Sequence, residues 1–100
     1  MSQNILDNFS FQDDRPGIAS VKKSDKSNVF AVGLKKNQMM KKHRTPLETT
    51  LVVLKGSIVF SIQGDNLSMH TGTVYAIPPT IEHEVMGVDE ENIFLLIQEK

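Results

Sequence analysis

The run Leu51-Val52-Val53-Leu54-Lys55-Gly56-Ser57-Ile58-Val59-Phe60-Ser61-Ile62-Gln63-Gly64 decides how this chain is read. Its first half is apolar and β-branched, the pattern of a strand buried on both faces. Its second half alternates, with Ile58, Phe60 and Ile62 on one side and Ser57, Val59 and Ser61 on the other. That two-residue period belongs to a strand with one face in a core. Gly56 separates the halves, and Gly64-Asp65-Asn66 closes a hairpin onto residues 67–71.

The same grammar runs outward in both directions. Residues 18–22 and 29–35 read as strands around the solvated loop 23–28. Residues 73–77 form another, stopped by Pro78-Pro79, which forbids a central-strand continuation. Residues 83–86 and 93–98 are the last two, joined by the acidic turn Asp89-Glu90-Glu91-Asn92. No helical period longer than about two turns occurs after residue 15. Seven to nine short strands with turns every eight to twelve residues predict an all-β domain of two facing antiparallel sheets. Its expected core is Val53, Leu54, Ile58, Phe60, Ile62, Val74 and Ile77. Residues 1–17 are expected to be an N-terminal arm ending at Arg15-Pro16-Gly17, and residues 18–100 a single domain.

Composition narrows the function classes. One hundred residues make one core, and 39% apolar with 23% charged residues suits a globular chain. Eleven basic and twelve acidic side chains give a net charge of -1. That balance supplies no field for nucleic acid or an anionic membrane, so neither is expected as a partner. The absence of cysteine excludes disulfides, thiolate zinc sites and a cysteine nucleophile. The first fourteen residues have no basic or apolar block of a signal peptide, and the longest apolar runs are too short for a bilayer. A cytoplasmic location is the expectation.

His43 and His83 are the residues that carry chemistry, forty positions apart and each beside a predicted strand. The stretch around them resembles the two motifs of the cupin superfamily, whose fold is a double-stranded β-helix (an RmlC-like jelly-roll barrel). The first motif, G-x5-H-x-H-x3,4-E-x6-G, anchored on Gly56, sets its first histidine on His43. The second, G-x5-P-x-G-x2-H-x3-N, sets Gly72, Pro78 and His83 on its glycine, proline and histidine. Other positions depart from the pattern. Asn37 and Thr80 stand at glycines, Gly87 at the closing asparagine, Thr45 at the second histidine, and Thr49 at the glutamate, with Glu48 one residue early.

The resemblance implies a cavity lined by His43, His83, Thr45 and Thr49, and two of the family's four metal ligands are retained. His43, His83 and Glu48 are the candidate metal set, for zinc, iron, nickel or manganese bound weakly or not at all. A one-residue shift on a strand turns Glu48 to the opposite face unless the strand is bulged. If the strand into His43 runs straight, Met39, Lys41, His43 and Thr45 share a face, and Lys41 is placed to receive an anionic ligand. His70 is a further imidazole on a strand that the family does not use. Met40, Met69 and Met86 read as core fillers, and Tyr75 as structural. No serine has a histidine at triad spacing.

Three functions fit these residues. The first is a small-molecule-binding cupin with a degraded metal site and an undetermined ligand. The second is a metal-dependent isomerase or oxygenase acting on a small polar organic acid. The third is a dimeric interaction domain. A homodimer is expected in any case, because a short barrel leaves strand edges to cover. The arm bearing Ile5, Leu6 and Phe9 is expected to lie across the neighbouring copy.

Overall fold

The structure is a computed structural model and describes residues 2–100. Nine strands follow one another: β1 Gly17–Lys23, β2 Ser27–Lys35, β3 Met39–His43, β4 Glu48–Lys55, β5 Ser57–Ile62, β6 Asp65–His70, β7 Val74–Ile77, β8 His83–Gly87 and β9 Glu91–Glu99. They form a five-stranded sheet, β1-β2-β9-β4-β7, and a four-stranded sheet, β3-β8-β5-β6, with every neighbouring pair antiparallel. This is the all-β architecture expected. No helix among the described residues is long and apolar enough to cross a membrane.

The core follows the two-residue period. Ile58, Phe60 and Ile62 from β5 meet Leu51 and Val53 from β4, Val32 and Leu34 from β2, and Phe94 and Leu96 from β9. Two expectations are corrected here. β4 is fully buried on one face only, at Thr49, Leu51 and Val53, while Thr50, Val52 and Leu54 are half-buried on the other. Val74 is not in the core: it is 64% exposed on β7, an edge strand whose inward positions are Tyr75 and Ile77. A short apolar run shows its strand character plainly but not which parity faces in.

Asn92, read from the sequence as a turn residue, is fully buried where β9 begins. Its Oδ1 accepts from the backbone N–H of Ser57 at 2.9 Å and of Asp89 at 3.1 Å. Its Nδ2 donates to the carbonyls of Leu34 at 3.0 Å and Asp89 at 2.9 Å. One amide thereby fastens the ends of β2, β5 and β9, with all four hydrogen-bonding positions of the side chain used.

Phe9 of the arm is docked on its own chain. A Cβ on Gly33 would lie 2.2 Å from the Phe9 ring, and one on Gly17 would lie 2.6 Å from the Ser10 carbonyl. Gly17 and Gly33 are Cα partners across β1 and β2, so two missing side chains make the seat that Phe9 fills. Gln38 Nε2 donates to the Gln12 carbonyl at 2.7 Å, and Lys35 pairs with Asp13, holding the return to β1. β1 starts at Gly17 rather than at residue 18.

Asn37 and Thr80, which replace family glycines, both keep left-handed backbone, with φ of 69° and 67°. Asparagine tolerates this, but a β-branched threonine is strained by about 1–2 kcal/mol. Thr80 is held there by its N–H, which donates to the Thr45 carbonyl at 2.8 Å. Thr80→Gly is expected to stabilise the fold by up to about 1 kcal/mol, the relief of strain less the freedom glycine adds to the unfolded chain. A urea midpoint that stays level or falls would count against this.

Candidate functional site

His43 ends β3 and His83 opens β8, and the two are Cα partners in the four-stranded sheet. Their ring centroids are 4.4 Å apart, edge to face at 62°. Two imidazoles forty positions apart in the sequence are therefore in contact, as the motif alignment requires. His83 is 4% exposed and His43 half-buried, so one ring is inside and the other is partly open to solvent.

Each ring is oriented by its own backbone. His43 Nδ1 lies 2.9 Å from the Lys41 carbonyl, and His83 Nδ1 lies 3.1 Å from the Ile81 carbonyl. A carbonyl oxygen only accepts, so both Nδ1 atoms must carry the proton, and in the neutral rings both Nε2 atoms present a lone pair. No buried side-chain nitrogen or oxygen lacks a partner among the described residues. His83 Nε2 has no protein partner there, so it must reach solvent. The pair thus offers two uncommitted nitrogen acceptors, one on each of two contacting rings.

Aromatic rings form the inner wall. Phe60 stacks on His83 with centroids 5.2 Å apart at 18°, and Tyr75 tilts against Phe60 at 5.1 Å. Phe60 belongs to β5, next to β8, and Tyr75 to β7 of the opposite sheet. The wall therefore spans the sandwich. The sequence reading assigned Phe60 to the core and Tyr75 to structure. The signal that could have tied them to the site is parity, because Phe60 stands two residues from Ile62, the Cα partner of His83.

Thr49 is 4% exposed, on the inward face of β4, and its hydroxyl donates to the Leu47 carbonyl at 3.2 Å. Thr45 is half-buried and accepts from the Leu47 N–H at 3.2 Å. Glu48 is exposed, on the opposite face to Thr49. Met39 and Lys41 do not share the face of His43. A bulge between Met40 and His43 makes Met40 the inward residue, opposite buried Val85, and leaves Met39 43% exposed. Lys41 is exposed too, and contributes its carbonyl to His43 rather than its ammonium to the site. His70 lies apart, exposed, with Nδ1 3.4 Å from Ser57 Oγ.

No group of three or more His, Asp or Glu among the described residues is placed to hold an ion. Glu48 faces away and both threonine hydroxyls are engaged locally, so two imidazoles are the whole set. The residues do not fit the family's four-ligand site.

Burial holds the His83 pKa below its ordinary value of 6.5, and the charge of His43 acts in the same direction, against the opposing hydrogen bond to Ile81. Between 6.5 and the lowered folded value, the unfolded chain binds more protons at His83 than the folded chain does. Stability from this group is therefore full above about pH 6.5 and falls as pH drops through that window. Urea titrations across the window should show the decline, and His83→Gln should flatten it. An equal slope in the variant would contradict the assignment.

Comparison of the sequence with curated proteins finds no match. Solved structures are similar over nearly the whole chain. An RmlC-like cupin protein from Desulfovibrio desulfuricans is 25% identical with a TM-score of 0.86, over 98% of this chain and 95% of its own. A Klebsiella pneumoniae protein with a double-stranded β-helix domain is 18% identical with a TM-score of 0.88, over 98% and 88%. KdgF from a Halomonas species is 10% identical with a TM-score of 0.84, over 97% and 89%, a likeness of fold alone. The sequence profile of the Cupin domain matches residues 30–97, which include both histidines and the wall that supports them, and the chain belongs to the cupin family.

Proposed function

We propose that this cupin binds a small organic molecule that donates an O–H or N–H to the imidazole pair, behind which Phe60 is packed in the core. One observation carries the reading: both Nδ1 atoms are spent on carbonyls, which leaves an Nε2 acceptor on each of two contacting rings, backed by Phe60 and Tyr75. A few polar groups against an apolar wall are the usual form of a small-molecule site. The half-buried His43 supplies the approach. A cytoplasmic setting and a free small metabolite suit this reading.

Phenol and its methyl ether, anisole, test it, because they differ chiefly in the donated proton. Phenol is expected to shift the imidazole carbon-bound proton signals of His43 and His83 saturably in NMR titrations. Anisole should bind roughly tenfold more weakly, and so should phenol to the His43→Gln/His83→Gln protein. Equal binding of the two probes would refute the reading.

A metal-dependent enzyme is the second reading, favoured by the same Nδ1–carbonyl bonds, which are also how metal-binding histidines are oriented. Metal analysis of untagged protein separates the two. The binding reading expects substoichiometric zinc, iron, nickel and manganese, and no rise in Tm when any of them is added. One ion per chain would replace it with the metal reading.

A further inference from the structure

The strand ends that turn His43 and His83 inward turn their neighbours outward. Lys42-His43-Arg44 leaves β3, and Glu82-His83-Glu84 enters β8 antiparallel beside it, with the two histidines as Cα partners. Adjacent residues of a strand point to opposite faces, so four charged side chains stand on the outer surface of the four-stranded sheet. All four line an open cleft of about 450 Å³. The sheet order β3-β8-β5-β6 sets them across from the turn between β5 and β6, where Gln63 and Gly64 close the far side.

The charges of the cleft are unevenly used. Arg44 Nη2 donates to Glu82 at 3.3 Å, so these two satisfy each other. Lys42 and Glu84 form no ion pair among the described residues, although both line the cleft. Lys42 is one of two residues that the β3 bulge sets against Glu84. Beside Glu84 on β5 is Ser61, and beside Ser61 on β6 is Asn66. The Ser61 hydroxyl donates to Asn66 Oδ1 at 2.7 Å, which leaves the Nδ2 protons of that amide to the cleft. An ammonium, a carboxylate and an amide donor therefore share one row across the sheet.

We propose that this outer cleft is a second small-molecule site and takes a free α-amino acid as the zwitterion. The ligand's ammonium sits on Glu84 and its carboxylate on Lys42. Its side chain runs over Ser61, and cross-strand neighbours are about 5 Å apart, so a side chain of glutamine length brings its carbonyl to Asn66. Net charge points the same way. The cleft has two basic and three acidic side chains, so a simple anion or cation meets like charge, while a zwitterion adds none. A neutral polyol would leave Lys42 and Glu84 without counter-charges, and the acids are not grouped to hold a metal ion among the described residues. The site lies on the opposite face of the sheet from the imidazole pair and does not rest on the ligand proposed there.

NMR titration of the intact protein with L-glutamine tests this. The backbone amide signals of Ser61, Gly64, Asn66 and Glu84 are expected to shift saturably at millimolar concentration. N-Acetyl-L-glutamine lacks the ammonium and L-glutaminamide lacks the carboxylate. Each should bind roughly fivefold more weakly, the most that one exposed charge pair supplies. Glu84→Gln should abolish the preference for L-glutamine over the acetyl compound, and Lys42→Gln the preference over the amide. Lys42 is exposed and Glu84 lies on the outer face, so both variants should keep the wild-type circular dichroism spectrum. Equal binding of the three compounds, or variants that retain both preferences, would overturn the proposal. So would the absence of saturable shifts, or shifts confined to the imidazole ring signals of His43 and His83.

Discussion

Asn92→Ala should cost the fold about 3–5 kcal/mol, the largest loss expected from any single polar side chain in this protein. The residue is wholly enclosed, and its amide serves two N–H donors and two carbonyls at 2.9–3.1 Å. Truncation leaves the N–H groups of Ser57 and Asp89 facing a space lined by Leu34, Gly56 and Gly87. A buried group without a partner, such as the Leu34 carbonyl, costs about 1–3 kcal/mol, the part-buried groups of Ser57 and Asp89 cost less, and small domains hold only about 5–15 kcal/mol in total. Asn92→Asp should be no milder, since it keeps the acceptor but turns a charged oxygen towards the carbonyls of Leu34 and Asp89. Urea unfolding at neutral pH measures both. A loss below about 1 kcal/mol would mean that this junction is not held as described.

Gly56→Ala is expected to cost about 3 kcal/mol for a linked reason. Gly56 sits at φ +76°, where a side chain is strained by about 1–2 kcal/mol. The added Cβ would also fall 2.4 Å from Asn92 Oδ1 and 2.6 Å from the Glu91 carbonyl, so the amide would have to leave its place. Gly64→Ala is the control: its φ is +82°, with nothing within 4 Å of the new carbon, and only the strain should appear. Because Gly56 and Asn92 act on one junction, the Gly56→Ala/Asn92→Ala protein should lose less than the sum of the single changes. Full additivity would show that the two residues do not share this contact.

What the sequence makes legible follows from what each signal measures. Strand period, punctuating glycines and Pro78-Pro79 are local, and they suffice for an all-β sandwich. The spacing from Asn37 to Gly87 is a long-range statement, and it places His43 against His83. Face parity is the weak point. Nothing in Met39-Met40-Lys41-Lys42-His43 announces the bulge that turns Met39 out and Met40 in, so the lysine expected at the cavity is in solvent. Val74 fails for the same reason. Asn92 was hidden among the acids of a turn, because its partners on β2 and β5 lie 58 and 35 residues away. The arm's seat was hidden because the signal is an absence, the missing side chains of Gly17 and Gly33.

His43 and His83 are contacting rings whose Nδ1 atoms carry the protons that their own backbone carbonyls accept. Long-range nitrogen–proton correlation spectra of the imidazole side chains at neutral pH test it most directly, since they report the protonation of each ring nitrogen separately. The expected result is a proton on Nδ1 of both rings, held by the Lys41 and Ile81 carbonyls. An unprotonated Nδ1 on either ring would contradict it, because that ring could then not satisfy its carbonyl.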